Sequence, residues 1–242
     1  MRFLKPRFGL RTFFIFITVV AVFFGWFSYE RYRYRRELDA MEYFRGIGCE
    51  VDYAYERVDG WPKFLTPNRG PTGPAWIRKF LGDGYFSGIV VEFRGSYSPN
   101  EDEKIDSRQI SRLRDIRKLE RVSFAGAVFK GGSCEALTNL THVRCLDFTG
   151  SSITDDDLSH LGNLSQLEVL KLRDTGISDV GLAYLANLSR LVRLDLSNYI
   201  AEDVQISDVG LVAIESLHRL EQLDLGFNKQ IAGPGLIHLA SL

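Results

Sequence analysis

With 242 residues the chain is long enough for one or two domains, and 45% hydrophobic with 25% charged residues is the composition of a folded protein. The near-neutral total of −1 hides an asymmetry, because residues 1–37 carry +6 and residues 38–242 carry −7. An acidic body argues against nucleic-acid binding, which needs a basic face to neutralise phosphate, whereas a basic head suits anionic lipid.

Residues 1–11 form a basic tail with Arg2, Lys5, Arg7 and Arg11. Residues 12–29 then read TFFIFITVVAVFFGWFSY, an uncharged run. At about 1.5 Å per residue a helix of this length spans roughly 27 Å, close to the hydrocarbon core of a bilayer. Trp26 and Tyr29 stand at one end, where amphipathic rings favour the interface. A buried core helix does not need Phe and Val on every face with Arg clusters at both ends. A cleaved signal peptide is the stronger rival, but no small-x-small cleavage site follows the apolar run. The expectation is a single-pass anchor that contacts membrane lipid through residues 12–29. Four basic residues precede the run, and Arg31, Arg33, Arg35 and Arg36 follow it. The positive-inside rule therefore leaves the side of the membrane open.

Residues 30–46 read as a juxtamembrane helix, basic at first and then carrying Leu38, Met41, Tyr43 and Phe44. Residues 47–85 read as a divergent cap, with a strand in CEVDYAYE (49–56), a Pro/Gly loop after it, and Ile77 and Phe80 as helix positions. From residue 86 the chain repeats. Leu119, Val143, Leu167, Leu191 and Leu220 share one column. Val122, Leu146, Leu170, Leu194 and Leu223 follow three positions on, and Phe124, Phe148, Leu172, Leu196 and Leu225 two further. Each unit continues with an apolar residue (Phe129, Ile153, Ile177, Ile206, Ile231) and then with apolar residues three apart, as in Leu182, Leu185 and Leu188. Alternation in L-x-L is the period of a strand, and spacing by threes is the inner stripe of a short helix. Ser178-Asp179, Ser207-Asp208 and Thr154 with Asp155–Asp157 stand where such helices begin. Upstream, Phe86, Ile89 and Val91 extend the strand columns, and Ile105, Ile110, Leu113 and Ile116 the helix half.

One strand and one helix cannot bury their apolar faces alone, but stacked copies can. The expected fold is α/β, a solenoid over residues 86–242 with a parallel concave sheet and short convex helices, preceded by one transmembrane helix. The pattern L-x-x-L-x-L-x-x-[TS]-x-I-[ST]-D-x-G-L-x-x-L-x-x-L, seen at 167–188, resembles the cysteine-containing, F-box-associated class of leucine-rich repeats. No F-box-like segment precedes it. FGLRTFFIFITVVAVFFGW resembles the anchor of bacterial membrane proteins that carry such repeats. The resemblance implies protein binding or scaffolding at a membrane. The alternative it implies is a regulatory or substrate-recruiting subunit of an enzyme assembly, like a ubiquitin-ligase adaptor.

No chemistry-bearing motif appears. There is no phosphate loop, Gly46-Ile47-Gly48 lacks the remainder of a dinucleotide fingerprint, and HExxH and GxSxG are absent. Cys49, Cys134 and Cys145 have no metal or disulfide spacing, and the four histidines are scattered. No catalytic residue, metal or cofactor is expected. Asp155–Asp157 fit a helix N-terminus better than a metal site, and Cys134 falls in a core column.

A protein partner is expected on two surfaces. On the concave face the columns Glu120, Arg144, Glu168, Val192, Glu221 and Ser123, Asp147, Lys171, Asp195, Asp224 flank Arg121, Cys145, Val169, Arg193, Gln222. Their candidate contacts are Arg144, Asp147, Glu168, Lys171, Arg173, Arg193, Asp195, Glu221 and Asp224. The second surface is the edge bearing the insertions at 94–104 and 198–205, with Tyr97, Tyr199 and Ile200 as apolar contacts. The C-terminal repeat has no polar cover over Leu223, Leu225, Leu236 and Leu239, which makes it a candidate for self-association or partner docking. The anchor makes its own prediction. Tagged full-length protein should stay with membranes through a carbonate wash at full size, and a soluble product trimmed near residue 28 would contradict it.

Overall fold

The computed structural model describes residues 9–53, 89–93, 104–200, 206–240 and 242. A single helix, α1 (Leu10–Gly46), covers both the apolar run and the expected juxtamembrane helix without a break. Its first half leaves Phe14, Phe16, Phe23 and Phe24 exposed. It is the one helix among the described residues long and apolar enough to cross a membrane. Its second half is an interface. Glu37, Ala40, Met41 and Phe44 are buried, at the i, i+3, i+4, i+7 spacing that shares one helical face. Leu38, expected inward, lies one position off that face and is 39% exposed.

Seven strands form one sheet in sequence order. They are β1 (Glu50–Tyr53), β2 (Ile89–Glu92), β3 (Leu119–Ser123), β4 (Cys145–Asp147), β5 (Val169–Lys171), β6 (Arg193–Asp195) and β7 (Gln222–Asp224). β1 pairs antiparallel with β2, and every later pair is parallel. From β3 onward the register follows the sequence columns: Val122, Leu146, Leu170, Leu194 and Leu223 stand opposite one another. At β2 the register differs by two residues. Val91, not Ile89, lies opposite Val122, with a bulge between Ile89 and Val90. A slip of two keeps every side chain on its face, so alternation alone cannot detect it. Phe93 decides it by stacking on Phe124 with centroids 4.8 Å apart. Of the expected cap, the strand at 50–53 is present; Ile77, Phe80, Phe86 and the Pro/Gly loop lie outside the described residues.

The convex segments are tighter than the expected helices. After α2 (Ser107–Leu113) come single turns, α3 (Asp155–Leu158) and α4 (Asp179–Leu182), each running on into a 3-10 stretch. Ser133–Asn139, Gly210–Ile214 and Pro234–Leu239 are 3-10 throughout. The rise of about 2.0 Å per residue in a 3-10 helix crosses the unit in fewer residues than an α-helix. The inner stripe survives the change, since Leu158, Leu161, Leu164, Leu182, Leu185 and Leu188 are fully buried.

Three side-chain systems join the units. Phe44, Phe93, Phe124 and Phe148 form a continuous aromatic column from α1 to the exit end of β4. Cys134 packs into the core as its column suggests. On the outside, the Ser-Asp pairs do more than cap. Ser178 and Ser207 each cap the following turn, with the hydroxyl accepting from the N–H two residues on. Each also donates its backbone N–H and hydroxyl to the aspartate of the preceding unit, Asp155 and Asp179 respectively. Asp208 continues the ladder by accepting from the N–H groups of Ala232 and Gly233. Gly181 and Gly210 follow from it, because a methyl at either would overlap the carboxylate of Asp155 or Asp179. Asn228 adds a buried link, donating to the carbonyls of Leu196 and Leu225. At β7, Leu223, Leu225 and Leu239 are half-buried and Leu236 is 48% exposed.

Two substitutions test this construction. Leu170→Ala removes a fully buried strand residue and should cost about 2–5 kcal/mol in a denaturant titration. Gly181→Ala should also destabilise, and in a double-mutant cycle with Asp155→Ala the two losses should sum to more than the double variant loses. Additive losses would mean that the glycine serves no carboxylate.

Candidate partner-binding surface

The concave face divides into a closed part and an open part. Along its central column Val90, Arg121, Cys145 and Val169 are completely buried, Arg193 is half-buried and Gln222 is exposed. The face expected to be solvated is therefore closed over β2–β5 and open at β6–β7. The flanking columns contribute to the closure. Arg144 holds Glu168 through Nε and Nη2 at 2.8–3.1 Å, and Lys171 Nζ reaches Asp147 at 2.9 Å. These ion pairs bracket Cys145, whose neighbours include Arg121, Lys171, Glu168 and Arg144. Burial pushes the Cys145 thiol far up, outweighing those cations, and does the same to Cys134. Cys49 is pushed up to about 12 by burial. All three thiols stay protonated at neutral pH, which makes them packing groups rather than nucleophiles. Burial also lowers the Arg121 pKa, against Glu120 and Glu92, which favour its charge. Among the described residues no cluster of three His, Cys, Asp or Glu could hold a metal ion.

Several candidate contact residues have structural duties that the sequence reading missed. Asp147, Asp195 and Asp224 each accept the backbone N–H two residues on, from Thr149, Ser197 and Gly226. These Asx turns shape the strand exits. The signal was present as D-F-T, D-L-S and D-L-G at one register position. Asp174 is held at φ +54°, accepts the Tyr199 N–H and pairs with Arg173 at 3.2 Å.

At the strand-exit edge of β6–β7 an aromatic group stands in the open. Tyr199 and Phe227 lie with centroids 4.2 Å apart, and Arg173 covers the Tyr199 ring at 4.3 Å. Ile200 beside them is 69% exposed, and Phe227 is 63% exposed on a backbone with φ +65°. A bulky residue in the left-handed region is uncommon. Phe227 was absent from the sequence candidates, since it follows a strand with no repeat-pattern signal. Asp195 and Asp224 end β6 and β7 on the side of this group, whereas Glu221 precedes β7 at its entry end, and Arg193 lies opposite Gln222 on the central column. Tyr97 and most of both insertions lie outside the described residues.

Three units, at residues 139–162, 164–186 and 217–240, match the leucine-rich-repeat family model. The stretch between the second and third matches, residues 187–216, carries the insertion at 198–205, and the units before residue 139 are also unmatched. One parallel strand per unit, a shared leucine column and these matches make the stacked units leucine-rich repeats. Among solved structures it is similar to an internalin (inlF) from Listeria monocytogenes, with 25% identity over 57% of this chain and 44% of that one, at a TM-score of 0.39. It is also similar to internalin C2 (inlC2) of the same organism, with 23% identity over 55% and 53% and a TM-score of 0.40. The chain spans about half the length of these internalins. No protein of curated function matches it.

The Lys171–Asp147 pair predicts a measurable energy at a position that the sequence reads as open. Asp147 keeps only 10% of its side chain exposed, so Lys171→Ala removes the counter-ion of a nearly buried carboxylate. The loss should be about 1 kcal/mol, above the ±0.5 kcal/mol of an ordinary surface site. Equilibrium unfolding checks it, and a loss below that range would mean solvent already screens the pair.

Proposed function

We propose that this leucine-rich-repeat protein is a membrane-tethered binding module that takes a protein partner at the open end of its concave face and the adjoining strand-exit edge. The observation that carries the reading is the exposed Tyr199, Ile200 and Phe227 group on the side where Asp195 and Asp224 end their strands. Aromatic side chains dominate binding energy when a partner covers them, because they bury large area for few rotatable bonds. Arg173 and Asp174 hold Tyr199 from below, so little ordering cost remains on binding. The acids beside the aromatics favour a partner segment that is basic around an apolar anchor. Of the sequence candidates, Arg173, Arg193, Asp195, Glu221, Asp224, Tyr199 and Ile200 belong to this reading. Arg144, Glu168, Asp147 and Lys171 serve it as a paired, stiff flank. The uncharged run of α1, with its exposed Phe and Val side chains, supports the tether. This lies outside catalysis: the reading assigns no reaction to any residue.

A photo-reactive amino acid at Phe227 should cross-link a discrete protein in the cells that make this chain. The same group at Val180, exposed on the convex side, should not. Tyr199→Ala should weaken that cross-link at least tenfold while leaving the unfolding midpoint within a few degrees. Equal labelling from both positions would reject the surface.

A further inference from the structure

The way α1 joins the solenoid orients the solenoid on its membrane, and this inference rests on the tether proposed above. Tyr29 ends the uncharged run, and the next residue, Glu30, receives Arg117 Nη1 at 2.6 Å. Arg36 reaches Asp115 at 2.6 Å, and Phe44 then meets Phe93 beyond the far end of β2. Arg117 lies just before β3 begins, whereas Phe93 stacks on Phe124, which lies just after β3 ends. Residues 30–44 therefore run along the strands, from their entry ends to their exit ends. At 1.5 Å per residue that is about 21 Å of helix, against about 16 Å for the five residues of β3. The strands point away from the bilayer with α1, and the turns that enter them face it.

Those entry turns are basic. The position immediately before the column Leu119, Val143, Leu167, Leu191 and Leu220, within the turn that leads into each strand, is Lys118, His142, Gln166, Arg190 and Arg219. At about 4.8 Å per strand the row runs roughly 19 Å along the membrane plane. His142, Arg190 and Arg219 are exposed, as is Arg114 in the first of these turns. Next to α1 an open cavity of about 330 Å³ is lined by Arg33, Arg114, Arg117 and His142 over apolar Leu140 and Val143. Arg33 lies one helical turn beyond Tyr29, at the depth of lipid headgroups. Most acids on this side are engaged, Glu30 with Arg117, Asp115 with Arg36, Glu168 with Arg144 and Glu215 with His238, while Glu221 stands exposed before β7. The aspartates at 147, 155, 179, 195, 208 and 224 lie at the exit ends or in the turns beyond them.

We propose that the strand-entry edge rests on anionic headgroups of the same bilayer that holds α1, with the Arg33–Arg114–Arg117–His142 cavity as its lipid-phosphate site. An acidic body would be repelled by such a surface with its exit edge down, and here the aspartates of that edge are turned away. The result is a solenoid lying with its strands upright, its entry edge on lipid and its Tyr199–Phe227 edge facing outward.

Full-length protein in nanodiscs of phosphatidylcholine, with or without phosphatidylglycerol, tests this. Fluorophores on Thr141→Cys or Ser189→Cys report the entry turns, and one on Lys229→Cys the exit edge; all three positions are exposed, and the native cysteines are buried. With a quencher on the lipid headgroup, the entry labels should be quenched several-fold more than the exit label. Phosphatidylglycerol should widen the difference, and Arg114→Gln with Arg190→Gln and Arg219→Gln should abolish the widening. Equal quenching at both edges, or a triple variant that responds like the parent, would overturn the orientation or its charge basis while the tether stands. Failure of the protein to co-migrate with nanodiscs would overturn tether and orientation together.

Discussion

Phe44 lying against Phe93 is the contact on which the rest of the architecture hangs. A repeat unit of one short strand and one turn of helix has two apolar flanks and buries neither by itself, so each end of a stack needs a neighbour of another kind. Here the first neighbour is the second half of α1. Ala40, Met41 and Phe44 complete the core beside β2, and the aromatic column carries that packing on through Phe124 to Phe148. Because the same helix continues without a break into the apolar run, core packing and membrane geometry become one problem. A flexible linker would have separated them.

Charge in this protein is spent mostly on backbone geometry. Its body is rich in acids, and acids on the face of a solenoid invite interpretation as a binding surface. Most of those examined have a local partner: Asp155, Asp179 and Asp208 hold the next unit's backbone, while Asp147, Asp195 and Asp224 hold the strand exits. A carboxylate that accepts two such bonds satisfies the orphan donors of a helix start or a tight turn, which water would otherwise have to satisfy. Burial raises the pKa of Glu37 at the helix junction, and Arg117 and Lys118 pull it back. Even that acid is a packing element between α1 and the first turn.

Closing the concave face over β2–β5 concentrates what remains. Among the described residues, it is where the sheet opens at β6–β7 that side chains of both signs and two closely packed, tilted aromatic rings meet solvent together. The insertion at 198–205 accompanies this opening: Tyr199 and Ile200 enter it, and Phe227 from the following unit completes the pair. A surface of this kind suits recognition by a few anchors better than broad electrostatic contact.

How much was legible in the chain depends on the kind of information. Period is a local property, so the leucine columns, the parallel register from β3 onward, the buried stripe of Ile110, Leu158 and Leu182, and the caps at Thr154 and Ser178 could all be read from spacing. The helix reading of 30–46 followed from the same kind of pattern, although Leu38 is exposed and Ala40, which that reading did not name, is buried. The two-residue slip at β2 could not be read, because a period of two is unchanged by a shift of two and only the Phe93–Phe124 stack breaks the tie. Nor could the burial of Arg121 and Cys145, since whether a column is open depends on what lies over it and not on its own residues. The partnership of Asp155 with Ser178, 23 residues away, and of Tyr199 with Phe227 belongs to the stacking of units. Sequence determined the repeat and the long apolar helix; tertiary structure alone decided which charges were structural, which face stayed open and which edge meets α1 where its apolar run ends, because each depends on neighbours that only folding brings together.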